Sequence, residues 1–406
     1  MASLLIISQV FYPDTTAVSQ IMTDLAEDLC IRGHDVEVLS SRYAYENPHI
    51  SFLPLESHRG IRIRRLRQTS FGKNNPVGRV MNFASFNGAL LLRLINRKHR
   101  YDAIIGTTVP PFLSYIGLLA ARLKRVPYFF YAMDLQPELA VVSGYLQEDS
   151  LVARLFMKMS NYVYRKSDLI VALDRFMASH IVCQGARPDK VKAIPVWPVM
   201  SQVYEGSRQA NPFRREMGFG DKIVVMYSGN MAVVHPLDTL LDSAAALRDD
   251  ARFLFVFIGG GVRKKDVANF KSKHDLANIL LLPFQPREEI HISLGSADLQ
   301  VVILGSSCTG YTHPNKVYGA MFIGKPVLYI GPKPSHVSDI LDECPWNISV
   351  QHGEAARLVN ELRYFADLGE QEWGRLGKKN REYAQRRFTR SLLSGQLIQE
   401  IENTLC

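Results

Sequence analysis

Two glycine-containing segments in the second half of the chain could hold a phosphate group. Tyr227-Ser228-Gly229-Asn230-Met231 follows an apolar run, and Ile258-Gly259-Gly260-Gly261-Val262-Arg263-Lys264-Lys265 joins three glycines to three cations. Glycine lets the backbone approach a phosphate closely, and the N–H groups at a helix N-terminus favour anions. The second segment lacks the GxGxxG spacing of a dinucleotide site. Its cations would oppose the dipole of the helix that they begin, which favours an anionic ligand beside them.

A third segment, His313-Pro314-Asn315-Lys316-Val317-Tyr318-Gly319, is followed by Gly324-Lys325-Pro326-Val327. Lys316 begins a predicted helix, where its ammonium group could meet a phosphate oxygen. Each of the three segments also has a simpler interpretation. The first would be an ordinary strand-to-helix turn, the second a flexible turn with a solvated basic helix start, and the third a turn with a surface lysine.

Two carboxylates in the first half stand beyond the end of a predicted strand. Asp134 ends the apolar run of residues 128–133, and Glu138 follows Gln136-Pro137. Acids at such a position can orient sugar hydroxyls or transfer protons, and alternatively they serve the dipole of a helix N-terminus. Asp14, in the loop after the first strand, is a weaker candidate. No residues have the spacing of metal ligands and no Asp-x-Asp occurs in the sequence, so we predict no metal site.

The positive charge of the chain is concentrated in its first half. Residues 1–200 hold 24 Lys and Arg against 16 Asp and Glu, which accounts for +8 of the formal net charge of +9. Cations flank the apolar stretch of residues 83–94: Arg59, Arg62, Arg64, Arg65, Arg67, Arg93, Arg97, Lys98 and Arg100. Such a field would suit nucleic acid, an anionic membrane surface or a pyrophosphate-bearing acceptor. Apolar residues between cations favour the lipid interface, and a solvated charged face beside a core helix is the alternative.

The composition predicts a globular protein from a reducing compartment. Hydrophobic residues make up 47% and charged residues 21%, and the five cysteines are scattered without a CxxC pair. This distribution disfavours a disulfide framework or a zinc site. The N-terminus lacks a charged region and a cleavage site, so it predicts a buried strand rather than a signal peptide. Without an uncharged apolar window of about 18 residues, no transmembrane helix is predicted.

The candidate residues lie between alternating strand and helix patterns. Strands are predicted at residues 4–9, 36–39, 61–66, 102–107, 128–134, 167–173 and 191–194, and again at 223–229, 253–259, 278–282, 299–304 and 326–330. Helical spacing at 19–32, 110–123 and 237–247 completes the unit of a parallel α/β sheet. An irregular polar stretch from residue 195 to about 211 predicts an interdomain linker. The sequence therefore predicts an α/β fold of two Rossmann-like domains facing across a cleft, with ligands beyond the carboxyl ends of the strands.

A series of motifs along nearly the whole chain resembles one enzyme family. In the first half they are Ser8-Gln9-Val10-Phe11-Tyr12-Pro13-Asp14, Arg32-Gly33-His34-Asp35-Val36 and Gly106-Thr107-Thr108-Val109-Pro110-Pro111. In the second half they are the segments at 227–230, 235–241, 259–265 and 282–288, and the run from His313 to Val327. In this order they resemble glycosyltransferase family four, the retaining enzymes of the two-domain GT-B fold, and more narrowly its exopolysaccharide and O-antigen branch.

The resemblance implies transfer of a sugar, with retention, from a nucleotide sugar, without a metal or other cofactor. A UDP-sugar is favoured over a GDP-sugar as the donor. The N-terminal domain, residues 1–198, would bind a lipid-linked glycan acceptor, a polyprenyl-diphosphate-linked sugar of surface polysaccharide biosynthesis. It would face an anionic membrane surface, as a cytoplasmic protein attached peripherally to the inner face of the cytoplasmic membrane, and no nucleic acid is expected. Residues 205–385 would bind the donor, and a helix near 386–406 would pack back on the N-terminal domain.

The positions that match the family motifs give the expected site residues. Asp134 and Glu138 would be catalytic. The donor would be bound by Ser228, Gly229, Asn230, His235, Gly260, Arg263, Lys264, His313, Lys316, Tyr318 and Gly319. The acceptor would be bound by Tyr12, Asp14, Thr15 and Thr16.

The chain departs from the family pattern at the donor site. The family carries a Glu, seven residues and a second Glu that contacts the ribose, whereas the matching positions here hold Tyr311 and Gly319. The family's phosphate-binding Arg and Lys are matched by Asn230 and His235, so Lys316, Arg263 and backbone N–H groups would substitute. Two other functions stay open: a nucleotide-sugar epimerase of the same fold, and a catalytically inactive scaffold of a polysaccharide assembly complex.

Overall fold

A computed structural model describes residues 1–45, 47, 49–71, 76–95, 100–200 and 202–405. The chain divides into two compact units. The N-terminal unit comprises residues 1–199, 310–313 and 390–406, and the C-terminal unit comprises residues 200–309 and 314–389. Each unit is built on its own sheet with helices around it, so the predicted pair of Rossmann-like α/β domains is confirmed. Residues 310–313, which the sequence pattern assigned to the donor domain, thus group with the N-terminal unit.

The N-terminal unit contains an eight-stranded sheet in the order β3-β4-β2-β1-β5-β6-β7-β8 over the described residues. The strands are β1 (Ser3–Ile7), β2 (Asp35–Ser41), β3 (Leu55–His58), β4 (Ile61–Leu66), β5 (Ala103–Gly106), β6 (Tyr128–Tyr131), β7 (Leu169–Ala172) and β8 (Val191–Ala193). All pair in parallel except β3, which is antiparallel to β4. The central strands read as apolar runs because helices cover both faces of a parallel sheet.

Six helices of this unit precede the second sheet within the described residues: α1 (Ala17–Ile31), α2 (Pro76–Ile95), α3 (Leu113–Lys124), α4 (Glu138–Val142), α5 (Leu151–Lys166) and α6 (Arg175–Cys183). Helix α1 begins where Thr16 Oγ1 accepts a hydrogen bond from Ser19 N at 3.2 Å, as expected for an N-cap threonine. Helix α3 packs between α2 and α5.

The C-terminal unit contains a parallel sheet in the order β11-β10-β9-β12-β13-β14. Its strands are β9 (Ile223–Ser228), β10 (Phe253–Ile258), β11 (Ile279–Leu282), β12 (Leu299–Ile303), β13 (Val327–Ile330) and β14 (Ile348–Val350). Its helices are α7 (Pro212–Glu216), α8 (Asp238–Ala246), α9 (Lys264–Lys273), α10 (Ile290–Gly295), α11 (Lys316–Phe322), α12 (His336–Glu343) and α13 (Ala355–Arg387). Because the order reverses between β9 and β12, the carboxyl end of β9 is the place where a ligand is expected to bind.

The last helix, α14 (Arg390–Leu405), belongs to the N-terminal unit and packs on α1. The Arg390 guanidinium donates to the carboxylates of Asp24 at 2.7 Å and Asp28 at 2.8 Å. The helix that the sequence predicts near residues 386–406 is interrupted at residues 388 and 389. Phe388 leaves the helical dihedrals with φ −127° and packs edge-on against Tyr318, with 4.7 Å between ring centroids. Among the described helices, none is long and apolar enough to cross a membrane.

Candidate functional site

Two glycine turns meet at the carboxyl ends of β9 and β10. Gly229 N donates to Ile258 O at 2.8 Å, and Met231 N donates to Gly260 O at 2.7 Å. A Cβ on Gly259 would overlap the Gly229 carbonyl, and both glycines have positive φ, 131° and 132°. Only glycine fits at such close approach of two backbones. The two segments therefore form one surface of closely spaced backbone at the strand ends, next to Ser228 at the end of β9.

Lys316, the first residue of α11, lies over this surface. Its Nζ donates to Tyr227 Oη at 2.9 Å and stands 4.5 Å from the centroid of the Tyr227 ring. A Cβ on Gly229 would come within 2.5 Å of Lys316 Cε, so the lysine chain runs directly above the turn. Burial lowers the pKa of Lys316 to about 8. We call Tyr227, Gly229, Gly259 and Lys316 the glycine–lysine site.

A hydrogen-bond network supports the lysine from below. Tyr227 Oη donates to Asn230 O at 2.7 Å, and His235 Nδ1 lies 3.1 Å from both Asn230 O and Tyr227 Oη. The Asn230 carbonyl can only accept a hydrogen bond. We therefore assign the proton of neutral His235 to Nδ1, which donates to this carbonyl. Burial, and secondarily the charge of Lys316, lower the pKa of His235 to about 3. The site thus holds one cation beside a neutral imidazole.

Two of the three cations after the second glycine turn, Arg263 and Lys264, have protein partners. Lys264 Nζ donates to Gly259 O at 3.0 Å, and it therefore holds the turn from within. Arg263 pairs with Asp238 at 3.2 Å and with Asp266 at 3.2 Å. Both ion pairs are to exposed carboxylates, which compete weakly with a bound anion. Gly260 lies against the ring of Phe284, with 3.0 Å between the position of a Cβ and the ring edge.

The remaining donor candidates on α11 face different surroundings. Tyr318 is buried, and its hydroxyl lies 2.6 Å from His336 Nε2. Gly319 takes the position of the family's ribose-contacting Glu, and a Cβ there would meet only Met200 Cε, at 3.4 Å. A side chain could therefore be accommodated at this position, and its absence is specific to this sequence rather than forced by packing.

In the N-terminal unit, Asp134 stands beyond the end of β6. Its Oδ1 accepts a hydrogen bond from Thr312 Oγ1 at 2.6 Å, and its backbone N donates to Thr108 Oγ1 at 3.4 Å. The pKa of Asp134 is raised, because burial disfavours the charged carboxylate more than the Thr312 hydroxyl and the nearby His313 favour it. A carboxyl group with a raised pKa is suited to exchanging a proton or to accepting a sugar hydroxyl.

Glu138, the first residue of α4, is 4% exposed. Its Oε1 lies 3.0 Å from His180 Nε2 and accepts a hydrogen bond from Tyr164 Oη at 3.4 Å. Its Oε2 is buried and has no hydrogen-bond partner among the described residues. These contacts favour a positioning role for Glu138, and contact with a substrate through Oε2 stays a prediction. We call Asp134, Glu138, His180 and Thr312 the carboxylate site.

His313, predicted to bind the donor, lies fully buried in the N-terminal unit. Its Nδ1 is 2.7 Å from Asp174 Oδ2, while Asp174 Oδ1 caps α6 by accepting from Phe176 N and Met177 N. The sequence analysis missed both Asp174 and Thr312. Asp174 could have been found by the signal that revealed Asp134, an acid directly after an apolar strand. Nothing in the local sequence marks Thr312.

The four acceptor candidates form the loop after β1, and most of their polar groups hold that loop together. Asp14 is buried, and its two oxygens accept from Thr15 N at 3.0 Å and Tyr45 N at 2.9 Å. The Tyr12 ring stacks on His58 at 3.8 Å between centroids. Thr16 caps α1, and Thr15 O accepts from Gln20 Nε2 at 2.7 Å. The side chain of Thr15 is exposed and makes no hydrogen bond with the described residues, so it is open to a ligand.

A solvent-open pocket of about 450 Å³ lies at the carboxyl ends of β1, β2 and β4. Gln9, Tyr43 and Gln68 line it from the strand ends, and Arg79 and Asn82 line it from α2. Gln9 is 4% exposed; its Nε2 donates to Gln68 Oε1 at 3.3 Å, while its Oε1 has no hydrogen-bond partner among the described residues. Since buried polar atoms normally have partners, this oxygen marks a place for a ligand hydroxyl or water.

The basic cluster predicted near residues 59–67 is largely neutralised. Each of four arginines pairs with a carboxylate: Arg59 with Glu27, Arg62 with Asp35, Arg64 with Glu37 and Arg65 with Glu56. Arg65 is also buried, and Arg93 approaches Glu37 at 3.9 Å. These ion pairs reduce the positive charge that this stretch presents, and its contact with a lipid surface stays a prediction. Arg97 and Lys98 lie outside the described residues.

Comparison with known proteins matches this chain to glycosyltransferases. Residues 16–197 match the family model described as "Glycosyl transferase 4-like domain". Over 277 residues, covering 67% of this chain and 68% of the relative, the sequence is 26% identical to the probable glycosyltransferase WbjE of Pseudomonas aeruginosa. Over 407 residues, covering 96% and 97%, it is 20% identical to the putative colanic acid biosynthesis glycosyl transferase WcaI of Escherichia coli K12.

Solved structures share the fold over the full length. Anabaena HepE in complex with UDP-glucose superposes with a TM-score of 0.71 at 15% identity, covering 99% of this chain and 100% of that one. WaaG, a glycosyltransferase involved in lipopolysaccharide biosynthesis, gives a TM-score of 0.71 at 14% identity, with coverage of 97% and 98%. At such identities the likeness shows the fold alone, and it confirms the predicted GT-B fold class. The sequence matches, for their part, are to a glycosyl transferase 4-like domain over residues 16–197 and to two glycosyltransferases.

Proposed function

We propose that the protein transfers a sugar from a nucleotide-sugar donor to a glycan acceptor, with the donor diphosphate bound at the glycine–lysine site. The observation that carries this proposal is the position of Lys316. Its amine lies over the Gly229 turn, and this turn approaches Gly259 so closely that only glycine fits at position 259. The combination of one cation, glycine turns and a neutral His235 suits an anion, because no carboxylate among the described residues is in contact with the lysine to compete.

In the proposed reaction, electrostatic stabilisation of the leaving group makes the largest contribution to catalysis. As the bond between the sugar and the diphosphate breaks, negative charge grows on the leaving diphosphate, and the ammonium group of Lys316 would stabilise it. No carboxylate in the described part of the chain pairs with this ammonium in the free protein, and burial disfavours its charge. A bound diphosphate would reverse that disadvantage and raise the pKa of Lys316, so binding favours the charged form that the reaction needs.

The acceptor would bind in the N-terminal unit, with Asp134 accepting a hydroxyl of the acceptor or donor sugar. The pocket beside Gln9 and Arg79 offers amide groups for sugar hydroxyls and one guanidinium for a phosphate. This combination supports a lipid-linked glycan such as a polyprenyl-diphosphate sugar, at an anionic membrane surface on the cytoplasmic side. The names of WcaI and WaaG point to surface polysaccharides as the product class. Retention, metal independence and a UDP-sugar donor follow from the family resemblance.

The proposal is tested by thermal unfolding with UDP, GDP, ADP and TDP, on wild type and on Lys316→Met. A ligand at 100 times its dissociation constant stabilises a protein by about 2.7 kcal/mol, which a melting curve resolves. We expect one diphosphate to raise the melting temperature of the wild type and to lose most of this effect in Lys316→Met. The matched control is Lys273→Met, an exposed lysine at the end of α9, which should respond as the wild type does.

The same experiment separates the two rival functions. An inactive scaffold is suggested by Gly319 in place of the ribose-contacting Glu, and it would show no stabilisation by any diphosphate. An epimerase would bind the donor, but it would convert the nucleotide sugar without an added acceptor. Stabilisation that is equal in wild type and Lys316→Met would refute the assigned role of Lys316.

A further inference from the structure

We propose that a pocket between α3 and α5 of the N-terminal unit binds a neutral sugar unit of the glycan acceptor. This pocket is open to solvent, has a volume of about 450 Å³ and shares no lining residue with the pocket beside Gln9. Its walls come from the loop after β5, the loop after β6 and the facing sides of α3 and α5. We call it the aromatic pocket. The inference rests on the proposed function only in naming the acceptor as the source of the sugar.

Five aromatic rings line the aromatic pocket. They belong to Phe112, Tyr115, Phe130, Phe156 and Tyr164. The rings of Phe112 and Phe156 stand edge-on, with 4.1 Å between their centroids. The face of an aromatic ring carries partial negative charge, so it attracts the weakly positive C–H groups on one face of a pyranose. These walls can therefore hold a sugar by its apolar face.

Uncharged polar side chains accompany the rings. Thr108, Ser114, Gln136 and Ser160 also line the pocket. The side-chain amide of Gln136 and the hydroxyl of Tyr115 have no hydrogen-bond partner among the described residues. An amide offers two donors and an acceptor, and a phenol offers one of each, as the rim of sugar hydroxyls requires. The pocket thus offers hydrogen bonds to the polar rim of the sugar whose apolar face the rings hold.

The backbone of Phe112 gives a second, independent indication of a ligand site. Phe112 directly precedes α3 and has a φ of 70°, in the left-handed region that residues with a side chain rarely adopt. Such conformations persist where the surrounding structure enforces them, and they concentrate at ligand-binding and active sites. Here the unfavourable conformation belongs to a residue that lines the pocket and packs against Phe156. This favours a binding role over ordinary helix packing.

The composition of the lining distinguishes a sugar from other ligands. Within the described part of the chain, no Lys, Arg, Asp or Glu lines the pocket, which disfavours a phosphate or another charged group. No Leu, Ile or Val lines it either. An isoprenoid or acyl chain would leave the Gln136 amide and the Tyr115 hydroxyl without partners, which is costly in a site closed to water. A neutral sugar satisfies both the rings and these polar groups.

The aromatic pocket borders the carboxylate site. Thr108 Oγ1 accepts from Asp134 N at 3.4 Å, and Tyr164 Oη donates to Glu138 Oε1 at 3.4 Å. Since Thr108 and Tyr164 also line the pocket, a sugar bound there lies next to both predicted catalytic carboxylates. The donor diphosphate is proposed to bind in the C-terminal unit. We therefore assign the sugar in this pocket to the acceptor rather than to the donor.

The test is saturation-transfer NMR on the full chain, without nucleotide, with the methyl glycosides of glucose, galactose, mannose, fucose and N-acetylglucosamine. Glucuronic acid serves as a charged probe and geraniol as an apolar probe. We expect a neutral glycoside to bind and neither of the other two probes to displace it. Its dissociation constant is then measured by titration with the wild type and three variants.

The variants separate the two kinds of contact. Tyr115→Phe removes one hydrogen bond and should weaken binding about fivefold. Phe156→Leu keeps an apolar side chain but removes the aromatic face, and it should weaken binding about threefold to tenfold. The control is Tyr364→Leu, which removes an exposed ring on α13 and should bind the sugar as the wild type does. Melting temperatures close to that of the wild type show that each variant is folded.

Three outcomes would overturn the inference. The first is a wild type that binds none of the neutral glycosides. The second is equal affinity in the wild type, Tyr115→Phe and Phe156→Leu, which would place the sugar elsewhere on the chain. The third is displacement of the glycoside by geraniol, which would indicate a site for an apolar chain. Intact sugar binding in a protein that neither binds a diphosphate nor transfers a sugar would instead refute the proposed function and leave this inference standing.

Discussion

The glycine–lysine site and the carboxylate site are built in different ways. The first is made by backbone: two strand ends approach so closely that a Cβ on Gly259 would overlap the Gly229 carbonyl, and Lys316 lies above Gly229. The second is made by side chains, because Asp134 accepts from Thr312 and Glu138 faces His180. The first therefore follows from short local motifs, whereas the second depends on contacts between residues far apart in sequence. The two sites should accordingly respond differently to substitution.

The largest effect is expected at the carboxylate site. Asp134→Asn keeps an oxygen for the Thr312 hydroxyl but removes the ionisable group, so we expect sugar transfer to slow by about 10²- to 10⁴-fold if Asp134 exchanges a proton. Diphosphate-induced stabilisation should remain as in the wild type. The measurement is the transfer rate from the donor that the thermal panel identifies, with a polyprenyl-diphosphate sugar as the acceptor.

Glu138→Gln is the matched comparison. The amide keeps an oxygen at His180, so a positioning role predicts a loss of less than about tenfold, mainly as a change in KM. An equal loss of turnover in both variants would contradict the distinction between a reacting Asp134 and a positioning Glu138.

At the glycine–lysine site the largest effect is expected on stability. In Gly259→Ala the new Cβ would overlap the Gly229 carbonyl, and alanine would be strained at φ 131°. We expect the free energy of unfolding to fall by about 3 kcal/mol, measured by urea unfolding. Gly374→Ala is the control, because this glycine lies in α13 with nothing within 4 Å of a Cβ. There alanine should be neutral or stabilise the helix by up to about 1 kcal/mol.

The same contrast explains what the sequence could predict. The central strands of both sheets follow from apolar runs that are buried on both faces, and Lys316 begins α11 as its Pro-containing turn indicates. The edge strand β3 is missed because residues 55–58 alternate between exposed and partly buried positions and carry no apolar run. The glycine turns are recognisable because their requirement for glycine is local.

The missed site residues share one physical reason. Thr312 lies 178 positions from Asp134, and His313 lies 139 positions from Asp174. No local propensity encodes such pairs, which arise only when residues 310–313 pack into the N-terminal unit. The β4 arginines show the converse case. Their charge is obvious in the sequence, but the register that sets Arg62 beside β2, and so beside Asp35, is not.

Ionisation offers a sharper test of the glycine–lysine site. The pKa of Lys316 is about 8, below its ordinary value of 10.5, so the amine loses its proton as the pH rises through 8. Affinity for the diphosphate should fall by about twofold from pH 7 to 8 and by up to about tenfold from pH 7 to 9. Lys316→Arg stays charged over this range. The ionisation of the ligand itself is the same with either protein. A fall of equal size in Lys316→Arg would assign the pH dependence to the ligand rather than to the lysine.

The smallest effect is expected from removing the hydrogen bond between Lys316 and the Tyr227 hydroxyl. Tyr227→Phe keeps the ring beneath Lys316 but removes the hydroxyl that accepts from Nζ at 2.9 Å and donates to Asn230 O at 2.7 Å. One hydrogen bond contributes about 1 kcal/mol, so affinity for the diphosphate should fall about fivefold, measured by titration calorimetry. The fold should be retained, because Gly229 and Gly259 still hold the turns together. If affinity instead falls as far as in Lys316→Met, the hydroxyl itself contacts the ligand, and the glycine–lysine site would depend on side chains as much as the carboxylate site does.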